Sequence, residues 1–184
     1  MKYFKTPEFL FEVFGESQSI LEVSSTIIFA LIGSWIIYSV ANIEFIHWKI
    51  VVAYLLIADV LAGCIANFSF GTNEFYSKRP KNRLIFIAIH IHILVIAWLL
   101  AEPLDTALIV WGYTIASAFF VNWLNGNTMQ KFIAANLMCY GIFLLLYLSL
   151  PVWFLMVSIF FMIKVLFSFS VNHFDKLDKP NEVS

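Results

Sequence analysis

Four ionisable side chains interrupt otherwise apolar stretches of this 184-residue chain: Asp59, His90, His92 and Lys164. If each stretch is a helix, a rise of about 1.5 Å per residue puts all four at a similar depth, about 10–13 Å inside the apolar layer. An ionisable group at mid-bilayer costs roughly 2.5–3.5 kcal/mol, so such groups usually pair and mark a pathway or a proton relay. Aspartate and a histidine that titrates at about pH 6.5 can pass a proton, and the lysine can balance charge or hold an anion.

Small and polar residues continue at helical spacing from two of these side chains. Asp59 and Lys164 each begin a stripe at positions i, i+4 and i+8, which lie on one face of a helix. Asn136, in another apolar stretch, reaches a similar depth. We expect a polar cavity that opens to the cytoplasmic side, unless an Asp–Lys or Asp–His pair only fixes the packing of two helices. The predicted lining residues are Gly63, Asn67, Asn136, Ser168 and Asn172.

His90 and His92 suggest a metal site with Asp59, but their spacing argues against it. Residues two apart on an α-helix point about 200° away from each other, so both imidazoles cannot reach one ion without a local distortion. No histidine pair at i, i+3 or i, i+4 is present in these stretches, and no nucleotide-binding glycine loop or nucleophile motif. The sequence therefore predicts no metal and no catalytic residue, and it identifies no cofactor.

The elements that position these side chains follow from composition. The chain is 61% hydrophobic and 12% charged, whereas soluble domains average about 45–50% and 25%. The excess apolar surface must face lipid, and a helix needs about 20 residues to cross the bilayer. Short connections make successive helices antiparallel neighbours. The fold class is therefore all-α, a polytopic membrane protein with six antiparallel transmembrane helices, over 20–41, 46–68, 84–101, 104–124, 131–150 and 151–172.

The N-terminal segment 1–19 contains a predicted interfacial amphipathic helix over 6–16. Thr6 and Pro7 suit its first positions, and apolar residues recur on one side with glutamates on another. A helix docked on the bundle is the alternative. The remaining divisions are a transmembrane domain over 20–172 and a short polar tail over 173–184.

Basic residues set the predicted orientation, because cytoplasmic loops of membrane proteins are enriched in lysine and arginine. The loop between the second and third spans holds Lys78, Arg79, Lys81 and Arg83. We expect both termini on the cytoplasmic side of a bacterial cytoplasmic membrane. The same cations could contact an anion or lipid headgroups, although their charge could serve orientation alone.

These features favour a protein that moves a small polar solute or ion across the membrane, with proton coupling through the Asp/His/Lys residues. Two alternatives remain open. One is a lipid-acting enzyme in the membrane that uses Asp59, His90 and His92, and the other is a non-catalytic membrane subunit. The expected partners are the lipid bilayer, the solute, and a second copy or another membrane protein. A net charge of −1 indicates no nucleic acid.

Overall fold

The computed structural model describes residues 3–8, 11–41 and 47–174, so the predicted tail lies outside the described residues from position 175 onward. Within them, six helical spans are long and apolar enough to cross a membrane. The all-α, multi-pass fold class is therefore confirmed. The spans are α2 (Ile20–Val40), α3 (Trp48–Ala66), α5 with α6 (Pro80–Ile89 and His92–Leu99), α7 (Leu104–Trp123), α8 (Gln130–Tyr147), and α9 (Val152–Met162) with a π-helical segment (Ile163–Phe169).

The last span forms the centre of the bundle. It is the most buried of the six, whereas α2 is the least buried. The π-helical segment packs against α3, α7 and α8. Its residues Lys164, Val165 and Leu166 are almost completely enclosed. Side chains that reach this segment from the surrounding spans are therefore removed from lipid.

The third span is broken near its middle. Its two halves meet at His90 and Ile91, where the ψ angle of His90 is 76° instead of helical. A break exposes backbone groups, which in a bilayer must find partners inside the protein. The indole Nε1 of Trp111 donates to the His90 carbonyl oxygen at 3.0 Å, and the imidazole Nδ1 of His90 donates to the carbonyl oxygen of Phe86. The continuous helix predicted over 84–101 is therefore wrong at this point.

A short helix, α4 (Phe70–Ser77), connects the second and third spans and was not predicted. The Ser69 side chain caps its start by accepting a hydrogen bond from the Thr72 backbone N–H at 3.3 Å. The third span then begins at Pro80, earlier than predicted. Lys81 and Arg83 consequently lie on a helix.

The N-terminal segment is a hairpin that encloses one helical turn. Strands β1 (Tyr3–Lys5) and β2 (Ser17–Ser19) pair antiparallel, and α1 covers only Phe11–Phe14. Of the amphipathic helix predicted over 6–16, the described residues include this turn, which Gly15 ends at a φ of 70°. The turn is docked on α4, since the Tyr76 hydroxyl donates to the Glu12 carbonyl oxygen at 3.0 Å.

Candidate functional site

An ion pair joins the second and sixth spans. The ammonium nitrogen Nζ of Lys164 lies 2.6 Å from Oδ2 of Asp59 and also donates to the Asp59 carbonyl oxygen at 3.2 Å. Nε2 of His92 lies 3.7 Å from the same Oδ2. The lysine side chain is 4% exposed, but the aspartate side chain is 50% exposed. The carboxylate is therefore the accessible member of the group, and its Oδ1 receives no hydrogen bond from the residues that the structure describes.

Gly63 makes this pair possible. A β-carbon at Gly63 would lie 2.4 Å from Cε and 3.0 Å from Nζ of Lys164. The absence of a side chain thus creates the slot through which the lysine reaches Asp59, one helical turn away. Gly63 supports the ion pair and does not line an open cavity.

The backbone of Lys164 is held by two further residues of the predicted stripes. The side-chain amide of Asn67 donates to the Lys164 carbonyl oxygen at 3.4 Å, and the Ser168 hydroxyl donates to it at 3.0 Å. In a π-helix, backbone hydrogen bonds join residues five apart, so some backbone groups remain available to side-chain partners such as these. π-helical turns are frequent at functional sites. Asn67 and Ser168 therefore fix the main chain from which the lysine extends.

The two histidines lie on either side of the break in the third span. Their ring centroids are 5.1 Å apart. His90 is 3% exposed and contacts Phe86, whereas His92 faces Asp59. The ring nitrogen Nδ1 of His92 has no hydrogen-bond partner in the described part of the chain. Among those residues, no group of three or more His, Cys, Asp or Glu side chains could hold a metal ion.

Aromatic rings separate the four ionisable side chains, Asp59, His90, His92 and Lys164, from one end of the bundle. The described N-terminal segment lies at that end. Phe86 stacks on Phe169 with ring centroids 3.8 Å apart, and Tyr76 packs against both rings at 5.3 and 4.7 Å. Phe86 contacts His90 on one side, and the Arg83 guanidinium lies 5.8 Å from the Phe169 ring. These rings therefore lie between His90 and Arg83, on the side where the predicted polar cavity would open to the cytoplasm.

A second polar group surrounds the end of the last span, and we call it the cap cluster. A helix leaves its last carbonyl groups without partners. Here Arg83 donates to the Phe169 carbonyl oxygen at 2.9 Å, Asn73 to that of Val171 at 3.2 Å, and Gln130 to that of Ser170 at 3.2 Å. Nε2 of His173 lies 3.1 Å from the carbonyl oxygens of Phe167 and Ser168. The cap cluster is Asn73, Arg83, Gln130 and His173.

Three members of the cap cluster were not predicted as site residues. Gln130 begins the fifth span, Asn73 lies on the unpredicted helix α4, and His173 follows the last span. Each is a polar residue at the edge of an apolar stretch, which is a weak signal because most such residues face water. Gln130 also accepts from the Asn172 backbone N–H at 3.1 Å. Asn172 therefore belongs to the surroundings of the cap cluster and not to a cavity near Lys164.

Asn136 is wrong as a lining residue. Its side chain is exposed on the surface of α8 and donates to the Phe132 carbonyl oxygen of its own helix at 2.8 Å. The buried face of α8 instead carries Ala134, Gly141 and Leu145. The depth of Asn136 was predictable, but the face of α8 was not, because that helix is apolar on all sides.

The four cations of the predicted basic loop have different surroundings. Lys78 pairs with Glu74 at 3.0 Å, and Arg79 pairs with Glu16 at 2.9 Å. Lys81 is exposed. Arg83 is 3% exposed, and its Nε and Nη1 have no hydrogen-bond partner in the described part of the chain.

Two titratable groups outside the spans are held neutral by their surroundings. Burial lowers the pKa of the His173 imidazole, as do the nearby cations, although its contacts with the two carbonyl oxygens oppose this shift. Burial raises the pKa of the Tyr76 phenol. Both therefore act as neutral hydrogen-bonding groups at neutral pH.

The site thus combines an accessible carboxylate, an enclosed ammonium and an imidazole at a helix break. These groups can exchange a proton and can bind an ion or a polar molecule of opposite charge. Comparisons of the chain with protein-family models, with curated protein sequences and with solved structures find no match.

Proposed function

We propose that this protein moves a small polar solute or ion across the membrane, with proton coupling through Asp59. The observation that carries the proposal is the position of the Asp59–Lys164 pair beside the break in the third span. Transporters often place their binding sites near the middle of the bilayer, at discontinuous helices whose backbone is freed for binding. Irregular backbone at this depth is tolerated where it is enclosed in protein or lines a cavity.

The ion pair provides two states that differ by one proton. With Asp59 ionised, Lys164 is held in its slot by the 2.6 Å contact with Oδ2. Protonation of Asp59 removes the charge that holds the lysine, and the ammonium then becomes available to another partner. A proton can therefore bias the site between a closed pair and a binding state, which is the element that proton coupling requires.

We place both termini on the cytoplasmic side of a bacterial cytoplasmic membrane. An even number of spans puts both ends of the bundle on one side. The described basic residues support that side as cytoplasmic. On it lie Lys5, Lys78, Arg79, Lys81, Arg83 and Lys131, whereas Lys49 begins the second span at the opposite end.

Flux through the purified protein in liposomes tests the proposal. We expect vesicles that carry the protein to take up at least one of sodium, potassium, choline, chloride, nitrate, glycerol or urea faster than protein-free vesicles. The double variant Asp59→Asn with Lys164→Gln removes both charges together, so it should fold while its flux falls at least tenfold. Asp105→Asn, an acid in the first turn of α7, is the matched control and should keep its flux.

The outcomes separate the alternatives. Equal flux in the double variant and the unmodified protein would contradict transport through this site. A folded protein without flux for any probe would favour the membrane-subunit alternative.

A lipid-acting enzyme is a second candidate, because the half-exposed carboxylate lies next to His92. An accessible aspartate beside an imidazole suits acid–base chemistry on a lipid that approaches from the side. Incubation of the protein with mixed phospholipids, followed by mass spectrometry of the extract, tests this candidate. Products that appear with the unmodified protein and disappear in His92→Gln would favour it over transport.

A further inference from the structure

The described interior of the bundle carries more positive than negative charge. Arg83 and Lys164 are each 3% exposed, and Asp59 is the acid that pairs with Lys164. On the basis of the transport function proposed above, we infer that the transported solute is a small anion, which passes Arg83 and binds Lys164 when Asp59 carries a proton.

The other acids of the described spans cannot neutralise this excess charge. Glu22 lies in the first turn of α2, where its carboxylate accepts hydrogen bonds from the Ser19 backbone and hydroxyl at 2.8 Å. Asp105 lies in the first turn of α7, at the opposite end of the bundle from Arg83. Among the described residues of the spans, one enclosed cation has no acid partner while Asp59 is ionised, and two have none when Asp59 is protonated.

Arg83 is equipped to receive an anion. Only its Nη2 is occupied, by the Phe169 carbonyl oxygen at 2.9 Å. Nε and Nη1 are buried and have no hydrogen-bond partner in the described ranges. A buried donor without a partner is unfavourable, and hydrogen bonds from a charged guanidinium to an anion are stronger than those between neutral groups. An anion at Arg83 would balance the charge and accept from Nε or Nη1.

Lys164 provides the second position for the anion. The charged or titratable groups near the Asp59 carboxylate are Lys164, His92 and His90, and Cys64 lies near the lysine. When a proton from water forms an O–H bond on the carboxylate, its charge changes from −1 to zero. The ammonium of Lys164 is then an enclosed cation, which an entering anion neutralises. One proton and one monovalent anion leave the net charge unchanged, and no electrons are transferred.

A cation is a poor alternative solute for this geometry. It would have to bind Asp59 next to Nζ of Lys164, which lies 2.6 Å from Oδ2. Two like charges this close repel each other strongly, because protein screens them less than bulk water does. Protonation of His92 in place of Asp59 would also put a second positive charge beside the lysine. The anion therefore has the electrostatic advantage in the state in which the pair is open.

The stack of Phe86 on Phe169 separates the two positions and is the barrier between them. Phe169 and Lys164 are on the same π-helical segment, while Arg83 and Phe86 are on α5. A path from Arg83 to Lys164 therefore requires this stack to open. This arrangement lets Arg83 hold an anion while Lys164 is still paired with Asp59.

Vesicles loaded with sodium gluconate and a pH-sensitive dye test the inference. The vesicles are diluted into isotonic sodium chloride, sodium nitrate or sodium gluconate. We expect internal acidification with chloride or nitrate and none with gluconate. Replacement of external sodium by potassium or choline at constant chloride should change the initial rate less than twofold.

Variants connect the rate to the two cations. Arg83→Gln should lower the chloride- or nitrate-driven rate at least tenfold. Arg83→Lys keeps the charge and should retain more of this rate than Arg83→Gln does. Both variants should elute and unfold like the unmodified protein. Lys49→Gln removes a cation at the opposite end of the bundle and is the matched control.

The results distinguish this inference from the transport function itself. Flux that follows the external cation, or flux of glycerol or urea alone, would overturn the anion while leaving transport in place. Chloride entry without acidification, measured with a chloride electrode, would overturn the Asp59 step. Absence of flux for every probe would overturn both proposals.

Discussion

The bundle contains two groups of polar side chains, and they differ in their hydrogen-bond partners. In the cap cluster, Asn73, Arg83 and Gln130 donate to backbone carbonyl oxygens at the end of the last helix. At mid-membrane, Asp59 and Lys164 bond to each other. A carbonyl oxygen cannot change its charge, but a carboxylate can gain a proton.

For the transport function proposed above, this difference separates stability from flux. Hydrogen bonds to orphan carbonyl groups hold the last helix in the bundle, and the Asn73 and Gln130 amides that donate to them do not titrate. The Asp59–Lys164 pair leaves Oδ1 of Asp59 accessible and can be opened by one proton. We therefore expect changes at Asn73, Gln130 or His173 of the cap cluster to lower stability with flux retained, and changes at the pair or at Arg83 to lower flux first.

Gly63→Ala should have the largest effect, because it breaks the pair without removing a charge. The new β-carbon would lie 2.4 Å from Cε of Lys164, so the flexible lysine must leave its slot. We expect flux to fall at least tenfold, and the free energy of unfolding to fall as well, because the enclosed ammonium loses contact with the carboxylate that neutralises it. Chloride-driven flux in vesicles and denaturant unfolding in detergent micelles measure the two quantities.

Gly112→Ala is the matched control for that experiment. A β-carbon at Gly112, within helix α7, would have nothing within 4 Å. Flux should be unchanged, and stability should be equal or higher by up to about 1 kcal/mol, because alanine favours the helix. Equal losses of flux in the two variants would contradict the lysine slot.

Gln130→Ala tests whether the cap cluster contributes to stability and not to flux. It removes two donated hydrogen bonds, to Val121 at 3.0 Å and Ser170 at 3.2 Å, and one accepted from Asn172 at 3.1 Å. We expect the free energy of unfolding to fall by about 2 kcal/mol, since buried carbonyl groups lose their partners. Flux per folded molecule should stay within twofold.

Asn136→Ala serves as the control for Gln130→Ala. Its side chain is exposed and bonds only to its own helix, so stability should change by less than about 0.5 kcal/mol. If Gln130→Ala abolished flux in folded protein, the division between the two groups would be wrong.

Substitution of His173 should have the smallest effect, which is a change in the pH dependence of stability. Its pKa is lowered in the folded protein, chiefly by burial, so below about pH 6.5 the unfolded chain binds more protons than the folded one. Stability therefore falls as the pH drops through this window. His173→Gln should flatten the slope between neutral pH and pH 5, a range that denaturant unfolding at several pH values covers. An unchanged slope would contradict a neutral, buried imidazole.

Much of the fold was predictable because the bilayer leaves few choices. An apolar stretch of sufficient length must become a helix, since only a helix satisfies its own backbone in lipid. The depth of Asp59, His92 and Lys164 followed from the same fact, because each helical residue advances by about 1.5 Å. The sequence also shows a glycine, Gly63, four residues after Asp59. It does not show that this glycine leaves room for the lysine side chain.

The faces of the helices were much less predictable. In lipid, the outside of a bundle is as apolar as the inside, so hydrophobicity does not say which side of a helix is buried. Asn136 was placed inside for this reason and lies outside. The cap cluster was missed because its acceptors are backbone carbonyl groups, which every residue has and no pattern reveals.

The sequence alone determined that this is a six-span helical membrane protein with a few ionisable groups at one depth, because both follow from length and composition along single helices. Only the tertiary structure decided that Lys164 reaches Asp59 through Gly63, that the third span breaks beside them, and that Phe86 and Phe169 close the way to Arg83. Those relations depend on how helices rotate and pack against one another, and helix rotation is set by contacts between residues far apart in the chain.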